Sequence, residues 1–147
     1  MKARKRAIGY VCDIPVNGTD VTIGKEDQKL RILKHAAKEN LDLVCIFEDE
    51  LFTENPLDRP GVNKALNCGE EFDVLLVERV WALSRKMREL NPFLTRVDAR
   101  RVPLVATSYL WDVVSQRVRR RYSEGPAERC RREARALAVA RNSKRAA

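Results

Sequence analysis

The chain lacks any apolar run near the roughly 20 residues that a membrane span needs, so no spanning helix is expected. Its start, Met1-Lys2-Ala3-Arg4-Lys5-Arg6, is basic. It lacks the apolar stretch and small-residue cleavage site of a secretory signal, and a cytoplasmic location is the expectation. There is a single histidine, His35, inside a helical pattern and with no motif that would make it a catalyst. The four cysteines, Cys12, Cys45, Cys68 and Cys130, form no C-x-x-C pair. Neither a metal site nor a disulfide framework is therefore expected, and Cys45, inside an apolar run, reads as a buried structural thiol. Nothing in the sequence asks for a cofactor.

What the chain has is charge, in one place. Of its 29 basic and 21 acidic residues, eleven basic and three acidic lie between Arg117 and Ala147. Residues 1–116 hold 18 of each sign, so the whole net charge of +8 sits in the last fifth of the chain. Two readings fit that asymmetry: an arm for nucleic acid or another polyanion, or a solubilising disordered tail.

Four short apolar runs, Ala7–Val11, Leu41–Phe47, Val74–Val77 and Val102–Ala106, have strand character. They are nearly continuous rather than alternating, as in strands covered on both faces. Helical patterns lie between them. In Lys25–Asn40 the residues Leu30, Leu33 and Ala37 share one face. Pro60-Gly61 opens Val62–Leu66. Leu83–Leu90 is a third helix, interrupted at Asn91-Pro92 and restarting at Phe93. From Tyr109 to Gly125 no element is legible. Pro126 then opens a basic helix, Ala127–Arg141, whose thin apolar face needs a partner chain or DNA to fold against. The expectation is an α/β fold, a parallel-type sheet of about four or five strands flanked by helices, with a basic C-terminal helix. Residues 1–108 form the sheet domain, and 109–147 a connector and tail. In such sheets ligands bind beyond the C-terminal ends of the strands, here after Val11 and after Val77.

Three segments carry a resemblance. The first strand and its exit read Gly9-Tyr10-Val11-Cys12-Asp13-Ile14. Later come Leu57-Asp58-Arg59-Pro60-Gly61-Val62, and Asp73–Val77 followed by Glu78-Arg79-Val80-Trp81-Ala82-Leu83-Ser84-Arg85. In order and spacing, over roughly residues 7–108, they resemble the catalytic domain of the serine site-specific recombinases, the resolvases and DNA invertases. In that family the first strand carries Tyr, then Arg, then the nucleophilic Ser at alternate positions. The middle segment reads Asp-Arg-Pro-Gly-Leu, and the third ends Asp-Arg-Leu-Ser-Arg. The chain departs at Cys12 and Ile14, where the family has Arg and Ser, and at Trp81-Ala82, where it has Asp-Arg.

The departures bear on chemistry. The family's serine hydroxyl attacks phosphorus and leaves a phosphoserine link to DNA, while several arginines neutralise the phosphate in flight. The resemblance therefore implies a DNA-associated recombinase-like protein unable to cleave. Tyr10, Arg59 and Arg85 would contact phosphate, joined by Arg129, Arg131 and Arg132 of the basic helix. DNA contacts would be largely non-specific, since no helix-turn-helix module follows. A homodimer, or a hetero-assembly with a recombinase, is the implied protein partner. Two other readings stand beside this one. A different nucleophile (Cys12, Ser84 or Thr19) could keep the enzyme active, or the chain could be a non-catalytic interaction module. Trp81, a large ring where the family has a carboxylate, would plug the vacated site or stack on a base or partner surface.

Overall fold

A computed structural model describes residues 4–108, 110, 112–123, 134, 135 and 137–141. Strand β1 spans Arg6–Cys12, followed by two short strands, β2 (Ile14–Pro15) and β3 (Thr22–Ile23). Helix α1 is Lys25–Lys38, strand β4 is Asp42–Asp49 and helix α2 is Pro60–Leu66. Strand β5 (Val74–Val77), helix α3 (Met87–Ala99), strand β6 (Leu104–Ala106) and helix α4 (Val113–Ser123) complete the order.

The expected parallel sheet forms with four strands in the order β4-β1-β5-β6. Two cores result, one on each face. Ala7, Val11 and Leu76 meet Ile32 of α1 on one side. Ile8, Tyr10, Leu75 and Val77 meet α2, α3 and α4 on the other, through Val62, Leu90, Phe93 and Val118. β1 and β5 are central and buried, which explains their unbroken apolar runs. β4 is an edge strand, and none of its residues is fully buried, although its apolar residues pack against helices on both faces.

Three helix expectations need correction. Leu30, Leu33 and Ala37 of α1 point outward, Leu30 being 57% exposed. The inward stripe is Gln28, Ile32 and Ala36. Gln28 tolerates burial because its amide is spent on the backbone: its Nε2 donates to the carbonyls of Cys12 and Ile23, and its Oε1 accepts the Cys12 N–H. Next, α3 begins at Met87 and runs through Pro92 without interruption. The lost Pro92 N–H costs one helical bond. Burial of Leu90, Phe93, Leu94 and Val97 on one face outweighs it. Finally, 109–125 is not featureless. Asp112 accepts the Ser115 N–H at the start of α4, and Val114 and Val118 join the core. The expected basic helix is seen only in part, helical and exposed at 134, 135 and 137–141.

β2 and β3 pair antiparallel around the Asn17–Asp20 turn, where Gly18 takes a φ of 77°. This small hairpin was legible only as a turn. No described helix is long and apolar enough to cross a membrane.

Candidate functional site

The C-terminal ends of β1 and β5 bring the three sequence segments together, as the sheet topology requires. Tyr10 and Cys12 alternate with Val11 on β1 and so point to the α2–α3 side of the sheet. Both are buried, and Ile14, just beyond, is 0% exposed.

Arg59 leads into α2 and is 1% exposed. A guanidinium has five N–H donors. Here every one finds an acceptor inside the protein. Nε donates to the Thr53 hydroxyl, Nη1 to Tyr10 Oη at 3.1 Å and to the Ala82 carbonyl, and Nη2 to the carbonyls of Thr53 and Leu83. Its flat face lies on the Phe52 ring, 4.5 Å from the centroid. Tyr10 passes the connection on, its hydroxyl donating to Asp49 Oδ2 at 2.7 Å. The Asp49 carboxylate also accepts the Gly61 and Val62 N–H groups at the start of α2. One network thus joins β1, β4, the start of α2 and the Val80–Ala82 turn. Burial drives the Tyr10 hydroxyl far above the usual tyrosine range, although Arg59 pulls it back. It stays a neutral donor.

Arg85 differs. Its side chain is 19% exposed and meets Glu54 at 3.3 Å. It also donates to the Pro15 carbonyl at 3.0 Å and to Asn17 Oδ1 at 3.5 Å. It stands 5.2 Å from the same Phe52 ring, so Phe52 holds both arginines. Arg129, Arg131 and Arg132 lie outside the described residues. The structure therefore brings Tyr10, Arg59 and Arg85 together, with two of the three committed inward.

Each proposed substitute nucleophile has a visible environment. Cys12 is 0% exposed, and burial pushes its thiol pKa up despite the nearby Arg59 charge. That disfavours the thiolate that attack would need. Ser84 is also 0% exposed. Its Oγ lies 3.2 Å from Glu54 and accepts the Lys86 N–H, a turn bond rather than a cap of α3. Thr19 is exposed, its hydroxyl donating to the Val16 carbonyl and accepting the Val21 N–H within the hairpin turn.

Trp81 is half-buried and reaches the start of α4. Burial works to raise the Asp112 carboxyl, but hydrogen bonds from Ser115 and from Trp81 outweigh it and hold Asp112 below the carboxylate norm. Among the described residues, no group of three or more His, Cys, Asp or Glu could hold a metal ion. Sequence reasoning missed Phe52, Thr53 and the capping role of Asp49. The acidic end of β4 was visible, but nothing in its spacing pairs it with Tyr10.

The family model "Resolvase, N terminal domain" matches residues 20–141, a span that starts beyond β1 and runs through α4. Among solved structures, the N-terminal catalytic domain of TP901-1 integrase is 21% identical, with a TM-score of 0.58 over 70% of this chain and 77% of that one. The C-terminal catalytic domain of ISC1926 TnpA, an IS607-like serine recombinase, is 17% identical, with a TM-score of 0.57 over 71% of each chain. A resolvase family site-specific recombinase from Streptococcus pneumoniae is 14% identical, with a TM-score of 0.55 over 97% of this chain and 99% of that one. A search of curated proteins finds no match.

Proposed function

The chain belongs to the resolvase N-terminal domain family, and from that membership we propose that it is a DNA-associated, recombinase-like protein that does not cleave DNA. One observation carries this reading: Ile14, which the resemblance sets at the family nucleophile's position, is an apolar residue 0% exposed. A branched alkyl side chain without a proton to lose cannot attack phosphorus. The arginines support the same conclusion. Arg59 would have to give up backbone carbonyls before it could grip a phosphate, and Ala82 stands where the family has a second arginine.

In this reading residues 1–108 keep the fold together with α4, whose Val114 and Val118 join the core, and the residues beyond α4 serve as the basic arm. DNA contact falls to Arg85, to the exposed Arg117, Arg119 and Arg120 of α4, and to Arg129, Arg131 and Arg132 beyond it. It is a contact with phosphates, weakly dependent on sequence and strongly dependent on salt. In this reading its setting is a homodimer or a hetero-assembly with an active recombinase, in the cytoplasm.

Two measurements test the proposal. In gel shifts over a salt series, the full chain binds DNA at low salt and loses affinity steeply as salt rises. Deleting residues 124–147, which leaves α4 whole, costs about tenfold or more. No binding at any salt removes the DNA role. The second measurement traps protein–DNA adducts under denaturing conditions. None is expected, even with Ile14→Ser, because Cys12 and Ala82 still stand where arginines are needed. A covalent adduct with the wild-type chain would show an enzyme with another nucleophile.

A further inference from the structure

The faces of β4 bring together two thiols that lie far apart in sequence. Pairing of β4 with β1 skips a residue between Leu43 and Cys45, so the alternation shifts there. Leu43 and Ile46 pack toward α1. Cys45 and Phe47 pack toward α2, against the core that holds Val62, Ala65 and Leu66. Cys68 follows the end of α2 and packs against that same core.

Helix α2 sits hard against β4. A Cβ added to Gly61 would stand 2.4 Å from the Glu48 carbonyl oxygen. Phe47, Lys64 and Cys68 line one open cavity of about 480 Å³ beside this contact. Cys45 lies two residues before Phe47 on the strand, which turns it to the same side. Both thiols are free and half-buried. Burial first, then the Cys68 thiol, raises the Cys45 pKa. The sequence expectation of a buried structural thiol at Cys45 is thus corrected, since Cys45 is half-buried.

We propose that Cys45 and Cys68 are a paired oxidation site, at which a peroxide converts two thiols into a disulfide that ties β4 to the turn after α2. Cys68, on the open cavity, reacts first. Its thiolate attacks one peroxide oxygen. The O–O bond breaks, an S–O bond forms, and the departing hydroxide takes a proton to become water. Cys45 then loses its proton and attacks the Cys68 sulfur. The S–O bond breaks, the S–S bond forms, and the second hydroxide leaves with the Cys45 proton as water. Two thiols give up two electrons and two protons, and the peroxide leaves as two waters. The buried Cys12 has no part in this. The site does not depend on whether the chain binds or cleaves DNA.

The test treats the full folded chain with dilute hydrogen peroxide, alkylates remaining thiols and maps unreduced peptides by mass spectrometry. The expected product is one peptide pair joined through Cys45 and Cys68, lost on reduction, with free thiols falling from the four of the sequence to two. Cys45→Ser and Cys68→Ser, each checked for folding by circular dichroism, abolish that pair. Recovery of both cysteines alkylated, or oxidised separately without a linked peptide, overturns the proposal. So does a linkage that forms only in denaturant, or one that joins either residue to Cys130.

Discussion

Arg59 and Arg85 stack on the same phenylalanine, yet they belong to different kinds of place. Arg59, on one side of Phe52, is 1% exposed and surrounded by backbone carbonyls. Arg85, on the other, keeps 19% of its side chain in solvent and faces Glu54. The first has every donor satisfied by atoms that cannot leave without unfolding a turn. The second is held by a loop carboxylate, an amide and one carbonyl, partners that can be exchanged. The same residue type, beside the same ring, is a structural pin in one case and a partly exposed group in the other. Access to water, rather than residue identity, separates them.

The strongest way to break this comparison is Arg59→Ala. It strands the carbonyls of Thr53, Ala82 and Leu83 in the core, and should cost about 3–5 kcal/mol in urea denaturation. Arg59→Lys should recover little, because an ammonium offers three donors from one point. A loss below about 1 kcal/mol would make Arg59 a surface residue like Arg85.

Gly61→Ala probes the same junction from α2. The new methyl meets the Glu48 carbonyl oxygen at 2.4 Å and Asp49 Oδ2 at 2.6 Å. The backbone must shift, and a thermal melt should show a loss of about 1–3 kcal/mol.

Tyr10→Phe removes the link between Arg59 and Asp49, and should cost about 1–2 kcal/mol. It also has a pH signature. The folded pKa lies above the unfolded one, near 10. The folded state therefore holds the proton more tightly. Stability is complete below pH of about 10 and falls as pH rises beyond it. Equilibrium unfolding at pH 9 to 11 should show that fall, and Tyr10→Phe should flatten it. Tyr122, raised chiefly by burial beside Asp98, supplies the part that remains.

Arg85→Ala should have the smallest effect on folding, within about 1 kcal/mol, because partly exposed pairs contribute little. Its effect belongs in the gel shift, where low-salt affinity should drop and the salt slope should become shallower by about one phosphate contact. A variant that destabilises the fold as Arg59→Ala does, while leaving DNA binding intact, would erase the distinction.

The sheet was readable in the sequence because β1 and β5 are buried on both faces, leaving no alternation to misread. Helix α2 was readable because Pro60 opens it. The inward face of α1 was not, since the apolar residues Leu30 and Leu33 face water while Gln28 is buried by bonding backbone groups. Residue type and burial disagree there, and composition cannot reveal it. Helix α4 did carry a signal, an Asp112 cap ahead of Val114, Val118 and Tyr122 at helical spacing. Its arginines hid that stripe. At the site, the residues that depart from the resembled pattern, Cys12, Ile14 and Trp81-Ala82, were legible in the sequence. The inward turn of Arg59 was not, because arginine is ordinarily a surface residue, and Phe52 and Thr53 belong to no recognisable motif.

The strand order places β1 in the middle of the sheet although it comes first in the chain. Its two neighbours begin only at Asp42 and Val74. During synthesis, Ile8 and Val11 thus leave the ribosome long before anything exists to pair with them. Parallel pairing across such separations is slow. The apolar centre of the future sheet spends that interval in the open, available to wrong strands and to chaperones.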